Sequence, residues 1–261
     1  MLHWTRTILK GGPRLVWAYF AWMRRYGGKH KEKYPLDKRY AKVRKIATKT
    51  CKALNSKFYV EGLEDLPEGA LAFFPNHVSV FDPAVLISII ERNTAFVSKI
   101  ELQNVIAVKQ CISAIEGEYL DRKDIKQSLK VMMRVEKSLK ERNKSWLIFP
   151  EGTRRKDEMT NCLPFHHGTF RPAVKAEVPI VPVAIFGTNR ALQKKPQYHI
   201  YPAFIKFLKP IMPEEYKNMS TEEIAKYVQD EIDRCISFEL RKKDHALMLK
   251  EKKYRFNNIY K

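Results

Sequence analysis

His77 and Asp82 stand five residues apart in the run Phe73-Phe74-Pro75-Asn76-His77-Val78-Ser79-Val80-Phe81-Asp82-Pro83. A carboxylate that holds an imidazole in one tautomer makes it a better general base. On a continuous helix the offset would put the two side chains about 140° apart, given 3.6 residues per turn. In a turn they can fold back and meet. Leu71 to Phe74 is a short apolar run suited to a buried strand. Asp82-Pro83 reads as an N-cap followed by proline at the first helical position, opening a helix over Pro83 to Glu91. The pair therefore falls in the turn at a strand's end, where α/β proteins tend to build their sites. The same residues also fit a plain helix cap, a hydrogen-bonded turn histidine and a turn-forming Asn76.

A second stretch, Phe149-Pro150-Glu151-Gly152-Thr153-Arg154-Arg155, runs from a strand into a turn with adjacent arginines. Arginine presents a rigid fork suited to phosphate, and glycine lets a backbone amide approach a ligand closely. A surface turn with a Glu–Arg ion pair is the competing reading. Arg122, in Gly117-Glu118-Tyr119-Leu120-Asp121-Arg122, suits a phosphate or a salt bridge. Lys99 suits an oxyanion or a solvated helix start. Ser79 is better read as a turn hydroxyl than as a nucleophile, since the chain has no G-x-S-x-G elbow.

Strands are expected at Phe58 to Glu61, Leu71 to Phe74, Thr94 to Ser98, Glu118 to Leu120, Trp146 to Phe149, Pro179 to Ile185 and Ile200 to Phe207. Helices are expected over Pro83 to Glu91 and over Ile125 to Arg142, the latter with Ile125, Leu129, Met132 and Leu139 on its apolar face. A short helix over Gly168 to Glu177 and a long one from Met219 to about Lys243 follow, the latter opened by the capping-box pair Ser220 and Glu223. Strands alternating with helices imply an α/β fold whose mixed, largely parallel sheet is flanked by helices.

The 261 residues suit one large domain or one domain with appendages, and they carry a formal net charge of +20. Residues 1–56 hold 15 Lys/Arg against 2 Asp/Glu, residues 239–261 hold 8 against 3, and the middle is nearly balanced at 26 against 24. Two basic ends on a near-neutral body suit a polyanion, either nucleic acid or an anionic membrane surface. Three of the four tryptophans, Trp4, Trp17 and Trp22, lie in the first segment with Arg6, Lys10, Arg14, Arg24 and Arg25 around them. That composition fits an interfacial helix. A basic amphipathic helix over Asp37 to Asn55 would complete a two-helix docking segment, residues 1–56, ahead of a second unit over 57–261. The apolar run Leu15 to Met23 is too short to span a bilayer at about 20 residues and is a poor signal peptide. Cys51, Cys111, Cys162 and Cys235 are isolated and read as free thiols in a reducing compartment.

Taken together, the stretches resemble the glycerolipid acyltransferase family, typified by 1-acyl-glycerol-3-phosphate acyltransferases. Asn76 to Asp82 matches its N-H-x-x-x-x-D block, Gly117 to Arg122 its second block, Phe149 to Arg154 its third, and Val178-Pro179-Ile180-Val181-Pro182-Val183 its fourth. The resemblance covers about Phe58 to Phe207. It implies His77 as general base oriented by Asp82, with Lys99 or nearby backbone amides meeting the oxyanion. It also implies Arg122, Glu151, Gly152, Thr153 and Arg154 as the acceptor- and phosphate-binding set. The acyl donor would be a thioester, acyl-CoA or acyl-acyl carrier protein, with no cofactor and no metal. Membrane lipids and the acyl carrier would be the partners, at a peripheral site on the cytoplasmic face of the membrane. One departure is visible: where many relatives carry lysine, this chain reads Phe165-His166-His167-Gly168. The two histidines lack a third ligand at zinc-like spacing. Two other functions compete on the residues alone: a basic nucleic-acid-binding module, although no recognised motif is present, and a hydrolase using the same pair on water.

Overall fold

The computed structural model describes residues 24–28, 31–155, 161–192 and 200–250. Seven strands form one sheet: β1 (Ser56–Glu61), β2 (Ala72–Pro75), β3 (Thr94–Lys99), β4 (Glu118–Leu120), β5 (Ser145–Leu147), β6 (Ile180–Phe186) and β7 (Tyr201–Phe207). Their spatial order is β1-β7-β6-β2-β5-β3-β4. The pairings β6–β2, β2–β5, β5–β3 and β3–β4 are parallel. The β6–β7 pairing is antiparallel, and β1 runs parallel with β7. The expected mixed, largely parallel sheet is thus present.

Helices cover both faces. Besides single turns at Arg24–Gly27 and Pro213–Tyr216, they are α1 (Leu36–Ala53), α2 (Asp82–Ile89), α3 (Ile106–Ala114), α4 (Ile125–Lys140), α5 (Arg171–Lys175), α6 (Thr221–Cys235) and α7 (Arg241–Lys250). Consecutive side chains of a strand point to opposite faces, and the core divides accordingly. Ala72 and Phe74 join Val131, Val135 and Leu139 of α4, Ala173 of α5, and Val228 and Ile232 of α6. Leu71 and Phe73 join Val85 and Leu86 of α2 and Cys51 of α1. Burial on both faces explains why β2 and β6 read as unbroken apolar runs.

Strand β2 lies between β5 and β6 and feeds α2 on one face, whereas β5 feeds α5 on the other. Adjacent parallel strands whose connections leave to opposite faces open a crevice at their carboxyl ends. The turns after β2, β5 and β6 all meet at that edge.

Three expectations need correction. The apolar face of α4 is formed by Val131, Val135 and Leu139, with Ser138 also buried, while Ile125 and Leu129 are 76% and 53% exposed. The helix carries two apolar stripes, and the sheet selects one of them. Next, Asp82 is the first residue of α2 and not its cap: Phe81 takes the cap position with no side-chain bond. The long C-terminal helix also runs past Lys243, through a π-turn at Ile236–Leu240 between α6 and α7, to Lys250. Its capping box is present, Ser220 and Glu223 bonding reciprocally.

Of the two-helix docking segment expected over 1–56, residues 1–23 and 29–30 lie outside the described residues, and its second helix is described in full. Within it, α1 buries Tyr40, Val43, Ala47 and Cys51 against the body. Tyr40 donates to Ile90 O at 2.9 Å. Arg39 bonds Ala114 O at 2.7 Å and Glu116 at 2.6 Å. Lys38, Lys45, Lys49 and Lys52 face outward.

Candidate active site

The turn after β2 is built from Asn76. Its side chain is fully buried and bonds reciprocally with β6: Asn76 Nδ2 donates to Ile185 O at 3.0 Å and Ile185 N–H donates to Asn76 Oδ1 at 2.7 Å. The amide continues the β2–β6 ladder past the last strand residue and then releases the chain into the turn. Asn76 is therefore a strand terminator locked to the next strand, beyond its expected role as a turn former.

His77 follows. Its Nδ1 lies 2.8 Å from Asp82 Oδ2, so the five-residue offset is closed by the turn. The same oxygen accepts from Val78 N–H at 2.9 Å and Ser79 N–H at 2.8 Å. A carboxylate accepts only, so Nδ1 carries a proton, and in the neutral ring that leaves the lone pair on Nε2. The other oxygen, Oδ1, accepts from Thr188 Oγ1. Asp82 is completely buried, whereas the His77 side chain is 16% exposed. The Phe149 ring lies against the imidazole, with ring centroids 4.1 Å apart.

The turn after β5 holds the His77 peptide from both sides. His77 N–H donates to Glu151 Oε1 at 2.6 Å, and Arg155 N–H donates to His77 O at 2.9 Å. The second oxygen of Glu151 accepts from Leu163 N–H at 3.1 Å. Glu151 is 2% exposed. Burial pushes its carboxyl above the usual range, against the pull of the two amides and of Arg155. Gly152 adopts φ +64°. A Cβ there would stand 3.0 Å from His166 Cδ2. Both facts favour glycine. Thr153 and Arg154 are exposed beside it.

His77, Asp82, Glu151 and Gly152 are thus brought together. Lys99 and Arg122 stand further along the same edge, at the ends of β3 and β4, two and three strands from β2. At about 4.8 Å per strand, that is roughly 10 and 14 Å away. Lys99 Nζ pairs with Glu101 at 2.8 Å. This contact and, more weakly, Arg122 hold the Glu101 carboxyl below its ordinary range. His166 and His167 diverge: His166 packs over Gly152, and His167 Nδ1 lies 2.7 Å from Glu222 on α6.

Thr188 is the participant that sequence reasoning missed; Phe149 and Arg155 lay in the stretch it singled out, without the roles seen here. The signal for Thr188 is position: it lies two residues past the end of β6, a strand parallel to β2, at the edge that carries His77.

The chain matches the protein-family model Acyltransferase over residues 57–186. Among curated relatives, a probable 1-acyl-sn-glycerol-3-phosphate acyltransferase of Mycoplasma pneumoniae is 26% identical over 78% of this chain and 80% of its own length. The 1-acyl-sn-glycerol-3-phosphate acyltransferases of Cocos nucifera and Saccharomyces cerevisiae are 27% and 26% identical. The chain spans a little over half of those two longer proteins, 56% and 57%. Among solved structures, the crystal structure of the 1-acyl-sn-glycerophosphate (LPA) acyltransferase PlsC from Thermotoga maritima superposes with a TM-score of 0.67. It shares 26% identity and 88% coverage of both chains. The family match and the shared fold make this an acyltransferase of the α/β class. The chain belongs to the PlsC-like glycerolipid acyltransferases.

Proposed function

We propose that the protein moves a fatty acyl group from an acyl thioester to the free hydroxyl of lysophosphatidic acid, giving phosphatidic acid. The observation that carries this reading is the His77–Asp82 pair, held at 2.8 Å at the edge of the central strand. Asp82 keeps the proton on Nδ1, and Nε2 takes the proton of the acceptor hydroxyl. The hydroxyl oxygen attacks the thioester carbonyl carbon, and Lys99 or backbone amides meet the oxyanion. The tetrahedral adduct collapses by breaking the C–S bond, and the imidazolium returns its proton to the leaving thiolate. Atoms balance with no covalent enzyme intermediate and no cofactor.

Glu151 acts by holding the His77 peptide, since both its oxygens are taken by backbone amides. Gly152, Thr153 and Arg154 receive the acceptor phosphate, and Arg122 and Lys99 extend the cationic edge. The donor is acyl-CoA or acyl-acyl carrier protein. The enzyme works at a membrane surface on the cytoplasmic side, with residues 1–56 as its docking segment. The exposed stripe Ile125, Leu129 and Met133, flanked by Lys126 and Lys130, supports such contact. Among the described residues no helix is long and apolar enough to cross a membrane.

Purified protein given labelled acyl-CoA or acyl-acyl carrier protein and lysophosphatidic acid in liposomes should form labelled phosphatidic acid. His77→Ala should lose roughly 10²–10⁴-fold in rate. Equal transfer by wild type and His77→Ala would remove His77 as base, and release of free fatty acid alone would make the protein a hydrolase.

A further inference from the structure

Asp82 Oδ2 takes three donors from its own turn, whereas Oδ1 has a donor from 106 residues away, the Thr188 hydroxyl. The terminal torsion of an aspartate is broad and roughly two-fold, so fixing one oxygen does not by itself hold the carboxylate plane. A second bond to the other oxygen does. Without it a fully buried acceptor would also stand unpaired.

Thr188 begins the 3-10 turn Thr188–Leu192, which leaves β6 through Gly187 at φ +87°. Two residues on, the Arg190 guanidinium makes a two-pronged pair with Asp244 of α7, at 2.7 and 3.0 Å. Arg190 is 3% exposed and Asp244 0%. The guanidinium also stacks over the Phe186 ring at 5.0 Å. A buried two-pronged pair of this kind fixes orientation as well as distance, and here it fixes the turn that carries Thr188 to the C-terminal helix.

We propose that Thr188 is a positioning residue for the His77–Asp82 pair. Its hydroxyl holds the Asp82 carboxylate plane and through it the Nδ1–H tautomer of His77, and the Arg190–Asp244 pair anchors the turn that presents it. This rests on His77 being the base, so the test reads the imidazole as well as the reaction.

The test uses full-length Thr188→Val, Thr188→Ala, Thr188→Ser and Asp244→Asn, each with ¹⁵N-labelled histidine for tautomer assignment by NMR and with steady-state kinetics. Thr188→Val and Thr188→Ala should shift His77 from a single Nδ1–H tautomer to a mixture. They should also lower kcat roughly 10- to 100-fold, with KM for donor and acceptor held within about twofold. Thr188→Ser should restore both. Asp244→Asn should show the same two changes in smaller degree. An unchanged tautomer in both Thr188→Val and Thr188→Ala overturns the proposal, whatever happens to the rate, because Thr188 would then only fill space. Unchanged kcat in Asp244→Asn removes the anchoring role. Should transfer survive His77→Ala, the general-base reading falls, while the tautomer shift in Thr188→Val still reports whether Thr188 holds Asp82.

Discussion

The backbone N–H of His77 donates to Glu151 Oε1 at 2.6 Å, across 74 residues of sequence. With Arg155 N–H bonded to His77 O, both polar groups of the flanking peptides are held by one neighbouring turn. His77 is therefore fixed at its main chain by the turn after β5 and at its side chain by Asp82 and Phe149.

Glu151→Gln should show this dependence. A carboxylate accepts from two amides at once, whereas a carboxamide presents one acceptor and one donor. One of His77 N–H and Leu163 N–H would face a donor. The cost in stability should be about 1–3 kcal/mol. Displacement of the imidazole should lower kcat by up to roughly 100-fold. Urea denaturation and steady-state rates measure the two effects, and unchanged values of both would deny the strut.

Asp82→Asn should separate chemistry from folding. The amide oxygen can keep the three turn donors, and its NH₂ can donate to Thr188 Oγ1. Because Asp82 does not cap α2, no helix cap is lost. What disappears is the negative charge that stabilises the imidazolium. The rate should fall by roughly 10²–10⁴-fold with Tm within a few degrees of wild type. A large loss of Tm at full residual activity would contradict the electrostatic role.

Gly152→Ala should be strained twice, by a left-handed backbone at φ +64° and by a Cβ 3.0 Å from the His166 ring. The backbone alone costs about 1–2 kcal/mol. Since the same turn holds His77, the loss should appear in kcat as well as in thermal stability. Adding His166→Ala should relieve the contact and leave the backbone cost.

Glu116 links α1 to the body by pairs with Arg39 at 2.6 Å and Lys144 at 2.7 Å. Burial alone would raise its carboxyl, but the hydrogen bonds and charges of Arg39 and Lys144 outweigh burial and bring it down from 4.5 to about 2. A carboxylate lowered on folding stabilises the protein above its unfolded value and loses that contribution as pH falls through the folded one. The shift would correspond to roughly 3 kcal/mol for an unscreened group. Its side chain is 37% exposed, so solvent screening reduces this to about 1 kcal/mol. Urea titrations of wild type against Glu116→Gln should show that gap near neutral pH. It should narrow as pH drops from about 4.5 towards 2, and a gap constant across this window would exclude the pair as its source.

The sequence alone determined the alternation of strands and helices and the meeting of His77 with Asp82. Both are local. Apolar runs, Pro83 and a five-residue offset act through neighbouring bonds, and the Nδ1–Oδ2 contact itself closes within the turn. The turn chemistry of Gly152 was legible for the same reason. Tertiary structure decided the rest. Glu151 reaches His77, Asn76 reaches Ile185 and Thr188 reaches Asp82 only because β5 and β6 flank β2, and strand order is a property of packed layers that no window of residues contains. The exposure of Ile125 and Leu129 was hidden likewise. Two apolar stripes on one helix satisfy the same periodicity, and the sheet, by burying Val131, Val135 and Leu139, chose between them.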